Sequence, residues 1–318
     1  MKKLSVLLFM AFSVIAYSQD QRIVVAKDGS GDFTTVQEAI NSVRAFYPGG
    51  RTEIFIKEGE YREKLVVYSW LTQISLVGES RKKTVLVWDD HAGKAAEMGT
   101  FNSYTLLVQG NDFIARNLTI KNDAPINSGQ AVALHAEGDR GAFYHCDIIG
   151  TQDTYYAGGG QQYFKECYIE GTTDYIFGPA VVVFKDCEIH SKRNSYITAA
   201  NTPEGFDFGF VFLNCRLTFS EEVEKMYLGR PWRDHAKTVF INTYMGDKIR
   251  PEGWHNWKRP EAEQTSYYAE YNSSGPGAHP ESRVPWSYQL TEAEAAAYTL
   301  DNIFSKTIFW NPENQLSE

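Results

Sequence analysis

Four short segments repeat one pattern of apolar and polar positions: FYHCDI at 143–148, FKECYI at 164–169, FKDCEI at 184–189 and FLNCRL at 212–217. Each has an aromatic residue three positions before a Cys and an Ile or Leu two positions after it. ARNLTI at 115–120 fits the same frame, with Leu118 in the Cys place. Short alternating runs of Val, Ile, Phe and Tyr between Gly, Asn and Asp are strand signals. The cysteines are spaced 21, 20 and 28 residues apart, so one such strand recurs per repeat. A period of that length marks a solenoid whose coils stack on one another. The expected fold is all-β: a right-handed, single-stranded parallel β-helix with short helices at its ends.

The ends fit this reading. GDFTTVQEAINSV (31–43) places Val36, Ile40 and Val43 at helical spacing, which predicts a short amphipathic helix over the first coil. LTEAEAAAYTL (290–300) opens with Thr291 and Glu294 in capping-box spacing and predicts a C-terminal helix. Together they would cover the open strand edges at both ends.

The N-terminus carries a different pattern. Lys2 and Lys3 precede an apolar run from Leu4 to Ala16, followed by the small residues of Ala16-Tyr17-Ser18. This predicts a secretory leader over residues 1–18, cut after Ser18, because a membrane span needs a longer apolar run. The remainder, 19–318, has no Pro/Gly/Ser-rich linker and reads as one β-helix domain, secreted or periplasmic. Loss of Lys2 and Lys3 takes the formal net charge from −9 to about −11. An acidic surface disfavours nucleic acid and anionic membranes. Four cysteines in an exported chain permit disulfides, and Cys167 with Cys187 on adjacent coils is one pairing; small buried apolar residues in a ladder are the other reading.

The repeat frame also aligns two aspartates. Asp153 in GTQDTYY and Asp174 in GTTDYIF each lie seven residues after a Cys. Equivalent positions on adjacent coils are neighbours at ~4.8 Å strand spacing. Two carboxyls so placed do not ionise independently, and the resulting asymmetry suits a nucleophile beside a proton donor. Gln130, in QAVAL (130–134), falls at nearly the same phase one coil earlier, and Gln152 precedes Asp153. Neutral amide donors stabilise an oxyanion without titrating, so the set favours acyl chemistry. In YLGRPW (227–232), Arg230 can hold one Asp ionised and Trp232 can offer a flat face to a sugar ring.

With these residues in view, the chain resembles the pectin methylesterases, the carbohydrate-esterase family that demethylates homogalacturonan. The resemblance rests on GEYRE (59–63), QAVAL, GTQDTYY, GTTDYIFG (171–178) and YLGRPW in that order, with weaker matches in GDFTTVQEAI, GTFNSYT (99–105), EGW (252–254) and EYNSSGPGA (270–278). It implies Asp174 as nucleophile, a covalent acyl-enzyme, Asp153 as acid and then base, Gln130 and Gln152 as oxyanion donors, and Arg230 as the residue orienting Asp174. It also implies Trp232, Trp254, Tyr156, Thr100 and Phe101 as substrate-binding positions. The expected substrate is methyl-esterified pectin and the expected state a monomer. Tyr155, Tyr175 and Gln161 depart from the family's Leu, Phe and Arg, which puts groove shape in question.

No metal or other cofactor is expected. Asp89, Asp90 and His91 are read as solvent-exposed turn residues, and the glycosylation-like Asn117 and Asn272 are discounted. A β-helix glycosidase also uses paired carboxylates, but its oxocarbenium-like centre has no use for two amide donors. An esterase or thioesterase for another substrate, and a binding β-helix without catalysis, are the remaining alternatives.

Overall fold

Each repeat folds as one coil of three strands. Gly141–Tyr144, Asp147–Ile149 and Tyr155–Ala157 form one coil, and Gln161–Lys165 opens the next. Stacking of successive coils builds three parallel sheets of eleven, eight and seven strands, a right-handed parallel β-helix. The computed structural model describes residues 21–304 and 310–316, so the leader expected over residues 1–18 lies outside the described residues.

The apolar frame of the sequence becomes inward ladders. Phe143, Phe164, Phe184, Phe212 and Phe240 are in register, with successive ring centroids 4.4–5.2 Å apart. Ile120, Ile148, Ile169, Ile189 and Leu217 form a second buried ladder. Burying each of these side chains is worth roughly 1.5–3 kcal/mol, so the stacking itself supplies the core. Leu118 occupies the Cys place: its carbonyl accepts from Asp147 N as that of Cys146 does from Tyr168 N. All four cysteines are free and buried, so Cys167 and Cys187 are ladder residues and not a disulfide.

The residue before each ladder position turns the corner between sheets. Asn117, His145, Glu166, Asp186, Asn214, Asn242 and Asn272 all have φ of 50–57°. Asn and Asp tolerate this left-handed conformation best. The side chains of Asn272, Asn242, Asn214 and Asp186 are hydrogen-bonded in series at 2.8–3.4 Å. Asn117 donates to the Gly78 carbonyl at 2.9 Å. The amides of both glycosylation-like sites are thus engaged in corner structure.

At the N-terminal end the helix Val36–Ser42 buries Val36, Ala39 and Ile40 as its spacing predicts. Glu63 accepts from the N–H groups of Val36 and Gln37, capping the helix from across the coil. The C-terminal end departs from expectation. Thr291 and Glu294 do form a capping box, but the helix Glu292–Ala295 stops after one turn, and Thr299 caps a second, Leu300–Ile303. These helices lie against the outer face of the eleven-stranded sheet, where Leu290, Ala295 and Tyr298 meet Val239, Ile241 and Ala269. Instead, Val284 and Trp286 pack against the core near the last coil, beside a buried Arg283–Glu270 ion pair at 2.7 Å.

Candidate active site

Asp153 and Asp174 lie at the corner between the eight- and seven-stranded sheets, with φ of 62° and 49°. The left-handed backbone that Asp accepts at little cost lifts both out of strand geometry at equivalent points. Asp153 N donates to Thr173 O at 3.0 Å, and Asp174 N to Tyr196 O at 2.9 Å, so the two aspartates occupy successive coils. Gln130 and Gln152 are bridged in parallel on the neighbouring pair of coils. The seven-residue offset and the phase of QAVAL therefore bring all four residues to one corner.

The two carboxyls differ electrostatically. Both are more than nine-tenths buried, and burial pushes both above the usual carboxylate range. Asp153 is pushed further by the neighbouring charge of Asp174. Asp174 is held back by Arg230, which donates from Nε to Oδ1 at 3.0 Å and from Nη2 to Oδ2 at 2.6 Å. Asp174 is therefore the more acidic of the two, and Asp153 the one that keeps its proton to higher pH.

Arg230 is itself clamped. Its guanidinium carbon lies 3.9 Å from the Tyr196 ring centroid and 3.5 Å from that of Trp257. Trp257 and Lys258 both have positive φ, at 56° and 59°, and Trp257 N donates to His255 Nδ1 at 3.0 Å. Two successive non-glycine residues in the left-handed region carry strain, which concentrates at functional positions. Here that backbone sets the indole against Arg230.

Aromatic rings line the adjoining face. Phe101, 48% exposed on the turn Thr100–Asn102, lies 4.9 Å from Tyr156; Tyr156 lies 4.8 Å from Phe177, and Phe177 lies 5.8 Å from Trp232. Thr100 anchors that turn through its carbonyl, which accepts from Ser103. His135 fixes the turn from below: its Nδ1 is 3.1 Å from Phe101 O, its Nε2 is 2.9 Å from Glu137 Oε1, and its ring meets Tyr156 edge-on at 4.7 Å.

Trp254 is the exception among the expected groove residues. It is 1% exposed and stacks on Tyr268 at 4.3 Å inside the core, so it cannot meet a ligand. Trp257, three residues on, is the aromatic that reaches the site. The motif EGWHNW offers two tryptophans, and side-chain type alone does not tell which one the left-handed turn projects. Phe177, Tyr196 and His135 were also missed. The register makes Phe177 the partner of Tyr156 and puts Tyr196 in the frame of the aspartates one coil later.

The family departures turn out not to shape this face. Tyr155 and Tyr175 are fully buried, bonded to Gln162 and Ser191 respectively. Gln161 borders an apolar cavity of about 550 Å³ with Pro179, Val181, Phe206 and Phe208, which includes none of the candidate site residues. Asp90 is not a solvent-exposed turn residue: it is 7% exposed and pairs with Lys64 at 2.7 Å and Lys94 at 3.1 Å.

A buried carboxylate pair of unequal basicity, amide side chains at the same corner and an aromatic face on a parallel β-helix define a carboxylic ester hydrolase. Comparison with known proteins narrows the class. The family model described as Pectinesterase matches residues 22–307, and the chain belongs to that family. It is 42% identical over 286 residues to Pectinesterase 31 of Arabidopsis thaliana, covering 86% of this chain and 89% of that protein. Its fold matches pectin methylesterase from carrot with a TM-score of 0.85 and 35% identity, over 89% of this chain and 92% of the other. A pectin methylesterase solved in complex with a hexasaccharide matches with a TM-score of 0.78 and 30% identity, over 91% of this chain and 98% of the other.

Proposed function

We propose that this protein hydrolyses the galacturonosyl methyl esters of pectin, releasing methanol and pectate, through an aspartyl acyl-enzyme. The observation that carries the mechanism is the bidentate Arg230–Asp174 pair beside Asp153, whose carboxyl is pushed well above the usual carboxylate range by burial and the Asp174 charge. Asp174 attacks the ester carbonyl, and the amides of Gln130 and Gln152 stabilise the oxyanion of the tetrahedral intermediate. Collapse expels methanol, whose oxygen takes the proton of Asp153. Asp153, now a carboxylate, removes a proton from water; the hydroxide attacks the substrate acyl carbon, expels Asp174 as carboxylate and leaves the substrate carboxylic acid, which loses its proton to solvent. The reaction as written needs side chains alone.

The aromatic face around Phe101, Tyr156, Phe177 and Trp232 supports a sugar-chain substrate, because flat apolar rings match the C–H faces of pyranoses. The leader read over residues 1–18 supports secreted or periplasmic action. No described helix is long and apolar enough to cross a membrane. The test is methanol release from highly methylated pectin, run beside chain cleavage of polygalacturonate. Methanol without scission is expected; scission without methanol overturns the reading. Hydroxylamine trapping during turnover is expected to yield enzyme-dependent hydroxamate of the substrate acid, above the amount formed by direct attack of hydroxylamine on the ester without enzyme.

A further inference from the structure

We propose that His135 is a positioning residue that holds the substrate-facing turn at Phe101, and that a second proton on its ring, taken up beside Glu137, tightens the groove on pectin below neutral pH. The proposal rests on the pectin reading above and deepens it. His135 sits in the strand Leu134–Ala136, in register with Leu107 on one side and Tyr156 on the other, and is 4% exposed. The turn Thr100–Asn102 is stitched mainly to its own flanks: Ser103 N and Oγ donate to Thr100 O, Gly99 N to Asn102 Oδ1, and Asn102 Nδ2 to Glu97 O. Lys64 Nζ holds the far end through Asn102 O at 2.5 Å. Between these, the Phe101 carbonyl accepts from His135 Nδ1 at 3.1 Å. That bond ties the half-exposed Phe101 ring, 4.9 Å from Tyr156 and 6.5 Å from Trp232, to the sheet beneath it.

The partners of the ring fix where its protons sit. A carbonyl only accepts, so Nδ1 carries the proton of the neutral imidazole and Nε2 is a bare lone pair. That Nε2 is fully buried and makes no aligned hydrogen bond, although Glu137 Oε1 lies 2.9 Å away. Glu137 is held in place, because its Oε2 accepts from Gln109 Nε2 at 3.0 Å. Two acceptors so close repel each other. A proton taken from solvent onto Nε2 replaces that repulsion with a charge-assisted hydrogen bond. The imidazolium satisfies both acceptors, where the neutral ring satisfies one.

The surroundings give the direction. Glu137 is the charged group that faces the ring. The segment after the turn contributes Tyr104, edge-on at 6.0 Å, and the next strand contributes Tyr156 at 4.7 Å. Burial pushes both phenols up, so both stay neutral. Beyond Tyr104, Lys64 Nζ lies 4.9 Å from that ring's centroid and is paired with Asp90. Burial holds His135 below its ordinary 6.5, against the opposing pull of the Glu137 charge and the Phe101 bond. The ring is therefore neutral at pH 7 and takes its second proton on the acid side of 6.5. There the strand beneath Phe101 gains its second anchor, and the groove is held more firmly as pH falls.

The test measures kcat and KM separately between pH 7.5 and pH 5 in the full chain, on a fully methyl-esterified oligogalacturonide whose uncharged units do not titrate. In the parent, KM is expected to fall about 3- to 10-fold across that range, the worth of one hydrogen bond, whatever kcat does as the aspartates titrate. His135→Asn keeps an N–H where Nδ1 stands but cannot take a second proton. Its KM is expected to lie within about twofold of the parent's at pH 7.5 and to stay flat as pH falls. Glu137→Gln, at an exposed position, keeps the shape without the charge, and its fall in KM is expected at lower pH than the parent's. A parental KM that does not change with pH, or a fall that survives in His135→Asn, overturns the proposal. If His135→Asn does not fold, Glu137→Gln decides: an unmoved fall in KM overturns it. If the parent releases no methanol, the reading of the catalytic site falls separately, and calorimetric binding of the same oligosaccharide decides the anchor: equal affinity at pH 7.5 and pH 5 overturns it.

Discussion

Arg230 grips Asp174 through two hydrogen bonds, Nε to Oδ1 at 3.0 Å and Nη2 to Oδ2 at 2.6 Å, while the side-chain partner of Asp153 is the amide of Gln152. One guanidinium thereby splits two equally buried carboxyls into a base and an acid. Arg230 is also fixed between Tyr196 and Trp257, so its planar fork cannot swing to serve both.

The acidic limb of the pH–rate profile therefore reports Asp174, and Arg230 sets it. Burial raises the Asp174 carboxyl and the guanidinium opposes that rise. In Arg230→Gln the opposition is gone, the carboxyl rises further, and the ionised fraction at any acidic pH falls. kcat/KM is expected to drop by about 10²-fold or more, with the acidic limb displaced to higher pH. An unmoved limb in the variant's pH profile removes Arg230 from this role.

Asp153 predicts a trade of activity for stability. Its folded-state carboxyl stands well above the ordinary value of 3.8. A raised group contributes stability fully below its unfolded pKa, and that contribution is lost as pH rises through the folded value. At neutral pH the fold thus carries the cost of ionising, or holding protonated, a buried acid. Asp153→Asn is expected to abolish turnover yet raise Tm by about 2–4 °C at pH 8, with no gain at pH 3. Melting curves of parent and variant at the two pH values check this; a gain at pH 3 equal to that at pH 8 contradicts the electrostatic account.

Much of the site was legible because a β-helix converts sequence offset into spatial address. The seven-residue step from Cys to Asp recurs at Cys146 and Cys167, so Asp153 and Asp174 had to become neighbours once the coils stacked. Gln130 followed from the phase of QAVAL. The frame fails where the chain leaves the coil. The turn after Trp254 is set by left-handed backbone at Trp257 and Lys258, which no periodicity announces. The C-terminal helices found the outer wall of the eleven-stranded sheet because Tyr144, Tyr163 and Val183 present apolar surface there, a surface that exists only after folding. Tyr155 and Tyr175, whose departure from the family pattern put groove shape in question, are both turned inward by strand alternation.

The two tryptophan positions separate packing from binding. Trp254→Ala removes a fully buried ring from between Phe240 and Tyr268 and is expected to cost about 3–5 kcal/mol of stability. Trp232→Ala removes a half-buried ring from the aromatic face and is expected to leave Tm within about 2 °C while raising KM for pectin several-fold. Denaturant titration paired with steady-state kinetics distinguishes them. A Trp254→Ala protein with parental stability and weakened substrate binding would return that residue to the groove.

The last prediction concerns the C-terminal strap. Glu313 accepts hydrogen bonds from Tyr163 at 2.9 Å, Lys165 at 3.1 Å and Lys185 at 2.7 Å, and Pro312 O accepts from Tyr144 at 2.6 Å. Lys165 and Lys185 are in register on adjacent strands, so Glu313 bridges two cations that otherwise face each other. Despite partial burial, the bonds from Lys185, Tyr163 and Lys165 hold its carboxyl down at about 2, from an ordinary 4.5. A depressed acid contributes stability above its unfolded pKa and loses it as pH falls through the folded value. The strap is therefore fastened at pH 5 and above, and loosens between about 4.5 and about 2. With about a third of the Glu313 side chain exposed, solvent screening limits the contribution to ~1 kcal/mol. Glu313→Gln is expected to lower Tm by about 2–4 °C at pH 6, with the difference vanishing as pH approaches 2. A constant offset across that range would show that Glu313 holds the strap by shape and hydrogen bonding, without its charge.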